Sequence, residues 1–340
     1  MAPQWQSLTS LLASRSEEPI SRSSILHMKV LFIISSVAIL FTTSGYPWGA
    51  EGHQAIGEAA RTMLTANARS KIQQLLGNDD LAAIAVWLDD VRNLAHHHSG
   101  PLKGDLEATA FNAKFPENAS WHFVNLPVGF TEYSLNAPFS SENDIVHAIR
   151  TAIDVLEGRS SRFTKVQALR IIVHLVGDIH QRLHTVSGYY DVTDLEHPKR
   201  ISDPGAALGK PQDRGGNQLF YTRSLELHAL WDDKLVEKVA ASRSFEQLAE
   251  MLTSDSDATQ TPGDYHSWPE KRAGDSETVA IAAYQGIQFW SLKLREDGAI
   301  ERIEITLPSG YVRTEISQVQ TQLKKAAVHL AQLLSAIRYE

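Results

Sequence analysis

The sequence predicts an all-α protein with a single, mainly helical domain. Helical spacing of apolar residues recurs along most of the chain after residue 48, whereas strand-like alternation is sustained only in residues 300–307. The 340 residues include no cysteine, which excludes disulfide bonds, thiolate metal sites and cysteine nucleophiles. The formal charge of −8 is opposite in sign to that of proteins that bind nucleic acid through a broad basic surface. Any nucleic-acid chemistry must therefore depend on a local site.

Residues 1–47 are predicted to be a leader and signal peptide. An uncharged apolar run at residues 30–41 follows Lys29 and precedes small residues, which is the layout of a secretory signal. The run is shorter than the about 20 residues that a membrane span needs. Met28 directly precedes Lys29 and is an alternative start of the chain. We therefore expect a secreted or periplasmic protein without a membrane anchor, whose catalytic domain covers residues 48–340.

The helical segments follow one another along this domain. In chain order they are predicted at residues 52–64, 69–76, 81–94, 142–156, 164–178, 224–240, 245–252, 278–294 and 315–337. Residues 186–212 and 254–276 are rich in polar and turn-forming residues and are predicted to be loops. The sequence after residue 48 contains no internal repeat and no linker, which favours a single domain.

Two of the predicted helices carry a histidine and an aspartate four residues apart. His174 and Asp178 lie in one apolar run, and His228 and Asp232 lie in another. Residues four apart lie on the same face of a helix, so each pair can bind a metal ion. Burial of such groups without partners costs several kcal/mol, which favours a metal over an empty core position. His184 follows the first pair and can reach the same pocket.

Nitrogen and carboxylate ligands without thiolates favour zinc, although manganese and iron are also compatible with them. His53, Asp89 and His122 are further candidate ligands, but no local spacing assigns them to a site. The three histidines at residues 96–98 lie in a polar stretch flanked by Gly, Ser and Pro. We interpret them as solvated, with adventitious metal binding as the alternative.

Taken in order, these residues resemble the motifs of the type I nucleases, a family of zinc-dependent nucleases and 3′-nucleotidases that prefer single strands. The matching segments are Trp48-Gly49 with Gly52-His53, Trp87-Leu88-Asp89 with Arg92, Trp121-His122-Phe123, His174-x-x-x-Asp178 with His180-Gln181 and His184, Asp213-Arg214-Gly215-Gly216-Asn217, and His228-x-x-x-Asp232. The resemblance implies a fold similar to that of zinc phospholipase C. The absence of cysteine favours a bacterial-type member, because fungal and plant members use disulfides.

The resemblance further implies three zinc ions as cofactors. The implied ligand sets are Asp89, His122, His174 and the bridging Asp178 for the first zinc; Asp178, His53 and the α-amine and carbonyl of Trp48 for the second; and His184, His228 and Asp232 for the third. The amine of Trp48 is available only if processing occurs directly after Pro47. Cleavage after Ser44 or Gly45 would remove this ligand.

The resemblance also implies roles in catalysis and in substrate binding. Asp178 and Arg92 would be catalytic, and Arg92 would contact phosphate. Phe123 would stack on a base, although it could instead be a core aromatic, and Asn125 occupies a base-reading position. The expected substrates are single-stranded RNA or DNA, cleaved to products with a 5′-phosphate, and 3′-nucleotides. The enzyme is expected to be a monomer.

Two features depart from the family pattern. Arg182 stands where the family has proline, which would loosen the turn that directs His184. The segment from Ser187 to Gln212 is longer than the corresponding family connection and is either a lid or specificity loop or a disordered insertion. The alternative functions are a zinc phospholipase C and a non-catalytic secreted zinc-binding protein. The segments around Trp121 and Asp213 favour the nuclease.

Overall fold

The computed structural model describes residues 48–130, 132–254, 261–275 and 277–340, with only the backbone of residues 277–279. The predicted leader and signal peptide at residues 1–47 lies outside the described residues. Helices dominate the described part, which confirms the predicted fold class. None of the described helices combines the length and the apolar character that crossing a bilayer requires.

The described helices run in chain order from the start to the end of the domain. They are α1 (Gly49–Met63), α2 (Ala66–Leu76), α3 (Leu81–Ile84), α4 (Trp87–His97), α5 (Leu106–Lys114), α6 (Ile145–Leu156), α7 (Lys165–Asp178), α8 (Arg182–Thr185), α9 (Leu227–Ala229), α10 (Leu235–Ala240), α11 (Phe245–Thr253), α12 (Trp268–Gly274), α13 (Glu277–Tyr284) and α14 (Tyr311–Ala336). Short 3-10 turns occur at Asn118–His122, Pro204–Ala207 and Tyr265–Ser267, and a π-turn occupies Leu230–Lys234.

The strands are short and form three small sheets in the described residues. They are β1 (Leu126–Pro127), β2 (Val186–Ser187), β3 (Tyr190–Asp191), β4 (Lys199–Arg200), β5 (Leu219–Phe220), β6 (Gln288–Leu294) and β7 (Ile300–Thr306). β1 pairs in parallel with β2, β3 pairs antiparallel with β4, and the third sheet has the order β5-β7-β6. The predicted strand at residues 300–307 is thus confirmed as β7.

Helix α7 lies in the middle of the hydrophobic core. Every residue from Ile171 to Asp178 is buried, so both faces of this helix are covered. A capping box between Thr164 and Gln167 fixes the start of the helix. The neighbouring helix α1 packs against α7 and also against α3, α11 and α14. The carboxyl-terminal end of α7 therefore places His174 and Asp178 in the interior, as their apolar surroundings predicted.

The predicted helix at residues 278–294 is wrong in its second half. α13 ends at Tyr284, Gly286 follows with a φ of 73°, and β6 then pairs antiparallel with β7, with Phe289 opposite Ile305. Apolar residues in this stretch also fit helical spacing, but the backbone of β7, which lies between β5 and β6, offers hydrogen-bond partners. Pairing with β7 therefore decides the conformation.

Other predicted elements differ in their boundaries. The predicted helix at residues 81–94 is split into α3 and α4, and the one at residues 224–240 is split into α9, the π-turn and α10. The stretch at residues 254–276 was predicted to be a loop, but α12 forms within it. Helix α5 was not predicted; Asp105 caps its first turn. The π-turn contains Asp232, and such turns occur frequently at functional sites.

Candidate metal centre

Four separate elements bring buried histidine and aspartate side chains together beside the end of α7. His53 comes from α1, Asp89 from α4, His122 from the 3-10 turn, and His174 with Asp178 from α7. All five side chains are almost completely inaccessible to solvent. Gly177 makes the approach of α1 possible, because a Cβ at this position would lie 2.7 Å from the His53 ring.

Asp178 is at the centre of this group. Its Oδ1 lies 3.1 Å from His53 Nε2. Its Oδ2 lies 3.0 Å from His122 Nδ1 and 3.2 Å from His174 Nε2. Asp89 Oδ1 lies 3.6 Å from His122 Nδ1 and 3.7 Å from His174 Nε2. One carboxylate therefore contacts three imidazoles, and a second carboxylate flanks two of them.

A second group is formed by the side chains of His184, His228 and Asp232. His228 Nε2 lies 3.1 Å from Asp232 Oδ2, and His184 Nε2 lies 3.7 Å from Asp232 Oδ1. The two imidazole rings stack with their centroids 4.9 Å apart. Gln181 Nε2 donates a hydrogen bond of 2.7 Å to Asp232 Oδ1 and holds this carboxylate in place.

Backbone carbonyls set the orientation of three of these imidazoles. Nδ1 of His174 donates to the carbonyl of Ala85 at 2.7 Å. His184 Nδ1 donates to the carbonyl of His122 at 2.8 Å, and His228 Nδ1 donates to that of Gly215 at 2.7 Å. In each ring the proton is thereby held on Nδ1, and Nε2 is directed toward the carboxylates. Metal-binding histidines have the same second hydrogen bond.

The donor atoms fit a set of divalent metal ions. Among the buried atoms of the described residues that lack a hydrogen-bond partner are Nε2 of His53, His122 and His184 and Oδ1 of Asp178. Unsatisfied buried polar atoms are rare in proteins, and their concentration at one place needs an explanation. Among the described residues, three sets of side chains could each hold a metal ion, and within each set the ligand atoms lie within 4.8 Å of one another. The sets are His53, Asp89 and His174; His122, His174 and Asp178; and His184, His228 and Asp232.

The pKa values of this group follow from burial and from close opposite charges. Burial and the neighbouring His174 lower the pKa of His53 to about 4. Burial also lowers the pKa of His174, but Asp178 and Asp89 outweigh it and raise this pKa to about 9. Burial raises the pKa of Asp89 to about 7, against the opposing effect of Arg92. The neutral imidazole of His53 is ready to act as a metal ligand, whereas His174 would have to release its proton when a metal binds.

Trp48 is fully buried at the start of α1. Its indole Nε1 donates a hydrogen bond of 2.8 Å to the carbonyl of Gly177, one residue before Asp178. Its backbone has a φ of 55°, in the left-handed region. The side chain thus joins the first turn of α1 to the end of α7. Ligation by the α-amine stays a prediction, because Pro47 lies outside the described residues.

A cavity of about 490 Å³ opens onto the second group. Its described lining comprises Arg92, Asn93, His96, His97, Ala119, Phe123, Asn125, Leu183, His184, Arg214, Asn217, Gln218, Glu226, His228, Ala229, Asp232 and Asp233. The half-buried Phe123 lines this cavity, and Arg92 is held by an ion pair of 2.8 Å with Asp89 Oδ1. The three residues predicted to contact substrate, Arg92, Phe123 and Asn125, therefore lie at one cavity.

Comparison with known proteins decides the family. The model of the S1/P1 nuclease family matches residues 48–338. The chain belongs to the S1/P1 nuclease family. It is 24% identical to Endonuclease 2 of Arabidopsis thaliana over 334 residues, covering 91% of this chain and 97% of the relative. It is also 24% identical to Nuclease S1 of Aspergillus oryzae over 238 residues, covering 66% and 68% of the two chains.

The family membership identifies the protein as a nuclease, a hydrolase of the phosphodiester bonds of nucleic acids. S1/P1 nucleases are zinc enzymes, and the His and Asp groups described above could bind such metal ions. The relatives named here come from a plant and a fungus. The expectation of a bacterial-type member stays a prediction from the absence of cysteine.

In this S1/P1 nuclease, Asp213 is a buried residue whose partners the sequence did not indicate. Its carboxylate accepts hydrogen bonds from the backbone N–H groups of Gly188, at 3.1 Å, and Gly216, at 3.0 Å. It also accepts from the hydroxyls of Tyr190, at 2.9 Å, and Tyr284, at 3.0 Å. Burial raises the pKa of Asp213 to about 6 in spite of these bonds. Asp213 thereby fixes the loop that precedes the His228 helix.

Gly215 connects that loop to the candidate metal centre. Its carbonyl accepts the hydrogen bond of His228, and its N–H donates to Ser187 Oγ at 2.7 Å. Ser187 Oγ in turn donates to Asn125 Oδ1 at 2.8 Å, so the loop also contacts the candidate base-reading residue. Gly215 has a φ of 62°, and a Cβ would overlap the carbonyl of Leu183, which requires glycine at this position.

The two departures from the family pattern have structural explanations. Arg182 is buried and bonds to Gln322 of α14, while Gln181 Oε1 accepts a hydrogen bond of 2.7 Å from Leu183 N and caps α8. The turn that directs His184 is thus held without proline. In the segment of residues 187–212, Leu195 bonds to Leu292 of β6. None of residues 188–212 is among the described lining of the cavity, although the Tyr189 hydroxyl donates a hydrogen bond of 2.8 Å to the carbonyl of Asn125, which lines it. A role of this segment as a lid or specificity loop stays a prediction.

Proposed function

We propose that the protein is a secreted or periplasmic zinc nuclease with three metal ions. It cleaves single-stranded RNA or DNA to products with a 5′-phosphate and also acts as a 3′-nucleotidase. The observation that carries this proposal is the concentration of unsatisfied buried His and Asp atoms next to a cavity of nucleotide size. The location outside the cytoplasm rests on the signal-like sequence of residues 1–47 alone.

The predicted ligands form a site that is positioned by the fold. His53, His122 and His174 surround Asp178, so this carboxylate would be shared by the first and the second zinc. Asp232 contacts His228 in the set of ligands for the third zinc. Zinc ions bound there would lower the pKa of a bound water toward about 7 and stabilise charge on phosphate oxygens. The carbonyls that hold the imidazole protons orient the ligand nitrogens before substrate arrives.

The substrate contacts follow from the walls of the cavity. Arg92 is fixed by Asp89 and brings a positive charge to the cavity wall, where it can bind a phosphate oxygen. The Phe123 ring can stack on a base, an interaction worth about 1–3 kcal/mol for any base type. A base has to be unpaired to reach this recessed ring, which accounts for a preference for single strands. Asn125 also lines the cavity, where its Oδ1 accepts a hydrogen bond from Ser187 Oγ.

The test is an assay of the purified, N-terminally sequenced protein on single-stranded RNA, single-stranded DNA and duplex DNA. We expect cleavage of single strands that a chelator abolishes and zinc restores, with 5′-phosphates on the products and Trp48 as the first residue. Phosphatidylcholine is the control substrate, because the phospholipase alternative predicts its hydrolysis. A protein that holds its zinc and cleaves neither substrate would contradict the proposal.

A matched pair of variants tests the role of Phe123. F123L removes the ring that faces the cavity, whereas F130L removes a partly buried ring that is not among the described cavity lining. We expect F123L to raise KM for single strands about tenfold, in line with one lost stacking contact. F130L should leave KM unchanged. Equal effects of the two substitutions would show that Phe123 acts only as a core residue.

A further inference from the structure

Helix α4 extends from the metal centre along the wall of the substrate cavity. Asp89 lies in its first turn, Arg92 and Asn93 follow one turn later, and His96 lies a further turn along the same face. At 1.5 Å per residue, His96 is about 10 Å beyond Asp89 along the helix axis. Asn93, His96 and His97 all line the cavity that also contains His184 and His228. The polar face of α4 therefore leads away from the metal ligands into solvent.

The histidines of this face are available to a ligand. His96 and His97 are exposed, and their ring centroids lie 6.4 Å apart. Within the described part of the chain, neither imidazole has a hydrogen bond to another residue. An imidazole has an N–H donor in both its neutral and its protonated state, so it can bond to a phosphate oxygen in either.

The charges around the cavity favour this wall for a phosphate. Glu226 and Asp233 also line the cavity, but they come from the start of α9 and from the π-turn. Two arginines line the cavity: Arg214 comes from the loop before α9, and Arg92 lies on α4 with the two histidines. No carboxylate from α4 is among the described cavity lining, so a polyanion that leaves the metal centre meets less repulsion on the α4 side. The protein needs such a local contact because its net charge is −8.

We propose that His96 and His97 form a subsite for the phosphodiester of the nucleotide adjacent to the scissile one. The inference rests on the proposed function and deepens it, because it assigns a contact that only a substrate with a second phosphodiester can make. The ligand class is the phosphate of a single-stranded oligonucleotide. The pair thereby favours oligonucleotides over substrates that carry the scissile phosphate alone.

The experiment compares two substrates and two variants. A dinucleoside monophosphate has one phosphodiester, and a trinucleoside diphosphate has two. The double variant H96N/H97N removes both imidazoles, and H98N changes the next histidine, which is not among the described cavity lining. His98 has a φ of 50°, a conformation that asparagine tolerates well. We expect the ratio of kcat/KM on the longer to the shorter substrate to fall about tenfold in H96N/H97N, since a hydrogen bond to a charged group is lost.

The expected loss lies in KM for the longer substrate, and H98N should keep the wild-type ratio. An unchanged ratio in H96N/H97N, or an equal fall in H98N, would overturn the inference while leaving the nuclease proposal intact. Hydrolysis of neither substrate by the wild-type protein would refute the nuclease proposal and the subsite with it. Zinc content is measured on the same samples. A loss of zinc from H96N/H97N would show that the pair binds metal instead of phosphate, and this would also overturn the inference.

Discussion

Asp178 and Asp213 are two fully buried carboxylates that serve the same site in opposite ways. Asp178 faces ring nitrogens of His53, His122 and His174, and its Oδ1, although 3.1 Å from His53 Nε2, has no well-aligned hydrogen bond. Asp213 accepts four hydrogen bonds, two from backbone N–H groups and two from tyrosine hydroxyls. The first carboxylate is surrounded by groups that can lose a proton, and the second by groups that keep theirs.

The difference separates a candidate metal ligand from a structural residue. Burial raises the pKa of Asp178, but His174, His122 and His53 outweigh it and hold that pKa well below its usual range. For Asp213, burial prevails over the hydrogen bonds and the pKa rises to about 6. A buried carboxylate among imidazoles with unsatisfied atoms is typical of a metal site. A carboxylate saturated by fixed donors is typical of structural support.

The largest expected effect is that of metal removal on stability. Since the imidazoles and carboxylates around Asp178 bury charge without enough partners, chelation should lower the free energy of unfolding by about 4 kcal/mol, the value for a ligand at about a thousand times its Kd. Denaturant unfolding with and without chelator measures this. Chelation should lower the free energy of unfolding of D213N by a similar amount and that of D178N by much less. Equal losses in all three proteins would remove the distinction between the two carboxylates.

The next effect is on activity. D178N removes the charge that joins the two ligand groups, so kcat on single-stranded RNA should fall by more than about 100-fold, beyond what loss of an outer hydrogen-bond partner causes. D213N is the matched control, because it changes a buried carboxylate that contacts no predicted ligand side chain. It should keep more than a tenth of the activity. A D213N enzyme as inactive as D178N would contradict the assigned roles.

The protonation of Asp213 is expected to make the stability of the protein depend on pH. Its folded-state pKa of about 6 exceeds its ordinary value of 3.8, so the folded protein binds this proton more tightly than the unfolded chain does. The stability that this proton contributes is present below pH 3.8 and is lost as the pH rises to about 6. We expect metal-free wild-type protein to lose up to about 3 kcal/mol relative to metal-free D213N over this window. Denaturant unfolding of both proteins at several pH values would measure the loss, and parallel profiles would refute it.

The smallest effect is expected from the tyrosines. Y190F and Y284F each remove one hydroxyl donor from Asp213 and should cost about 1 kcal/mol of stability each. Because the loop that holds His228 then shifts slightly, kcat should fall less than tenfold. Y221F is the control, since no hydrogen bond of the Tyr221 hydroxyl is described. Thermal unfolding and kinetics on the three variants test this, and a Y284F protein identical to Y221F would speak against the support role.

The sequence was sufficient to predict the parts of the site that are local in the chain. His174 with Asp178, and His228 with Asp232, are each four residues apart in apolar segments, and the structure places each pair with short contacts. His53, Asp89 and His122 come from distant segments, so only the family resemblance could suggest them. No pattern could indicate that Tyr284, at the end of α13, reaches Asp213.

The fold could be predicted where periodicity and packing agree. The buried helix α7 has apolar residues on all sides and a capping box at its start, so its range was close to the prediction. The strand β6 was predicted to be helical, because its pairing with β7 is a contact between segments. The sequence predicts that His96 and His97 are solvated, and both are exposed; only the course of α4 shows that they also line the cavity.

The most direct test of the central claim is the zinc content of three purified proteins. The claim is that the imidazoles around Asp178 bind metal and that Asp213 only supports the site. Elemental analysis should find about three zinc ions per chain in the wild-type protein and in D213N, as the family resemblance implies, and at least one fewer in D178N. Wild-type protein without zinc, or D178N with the full wild-type content, would contradict the claim.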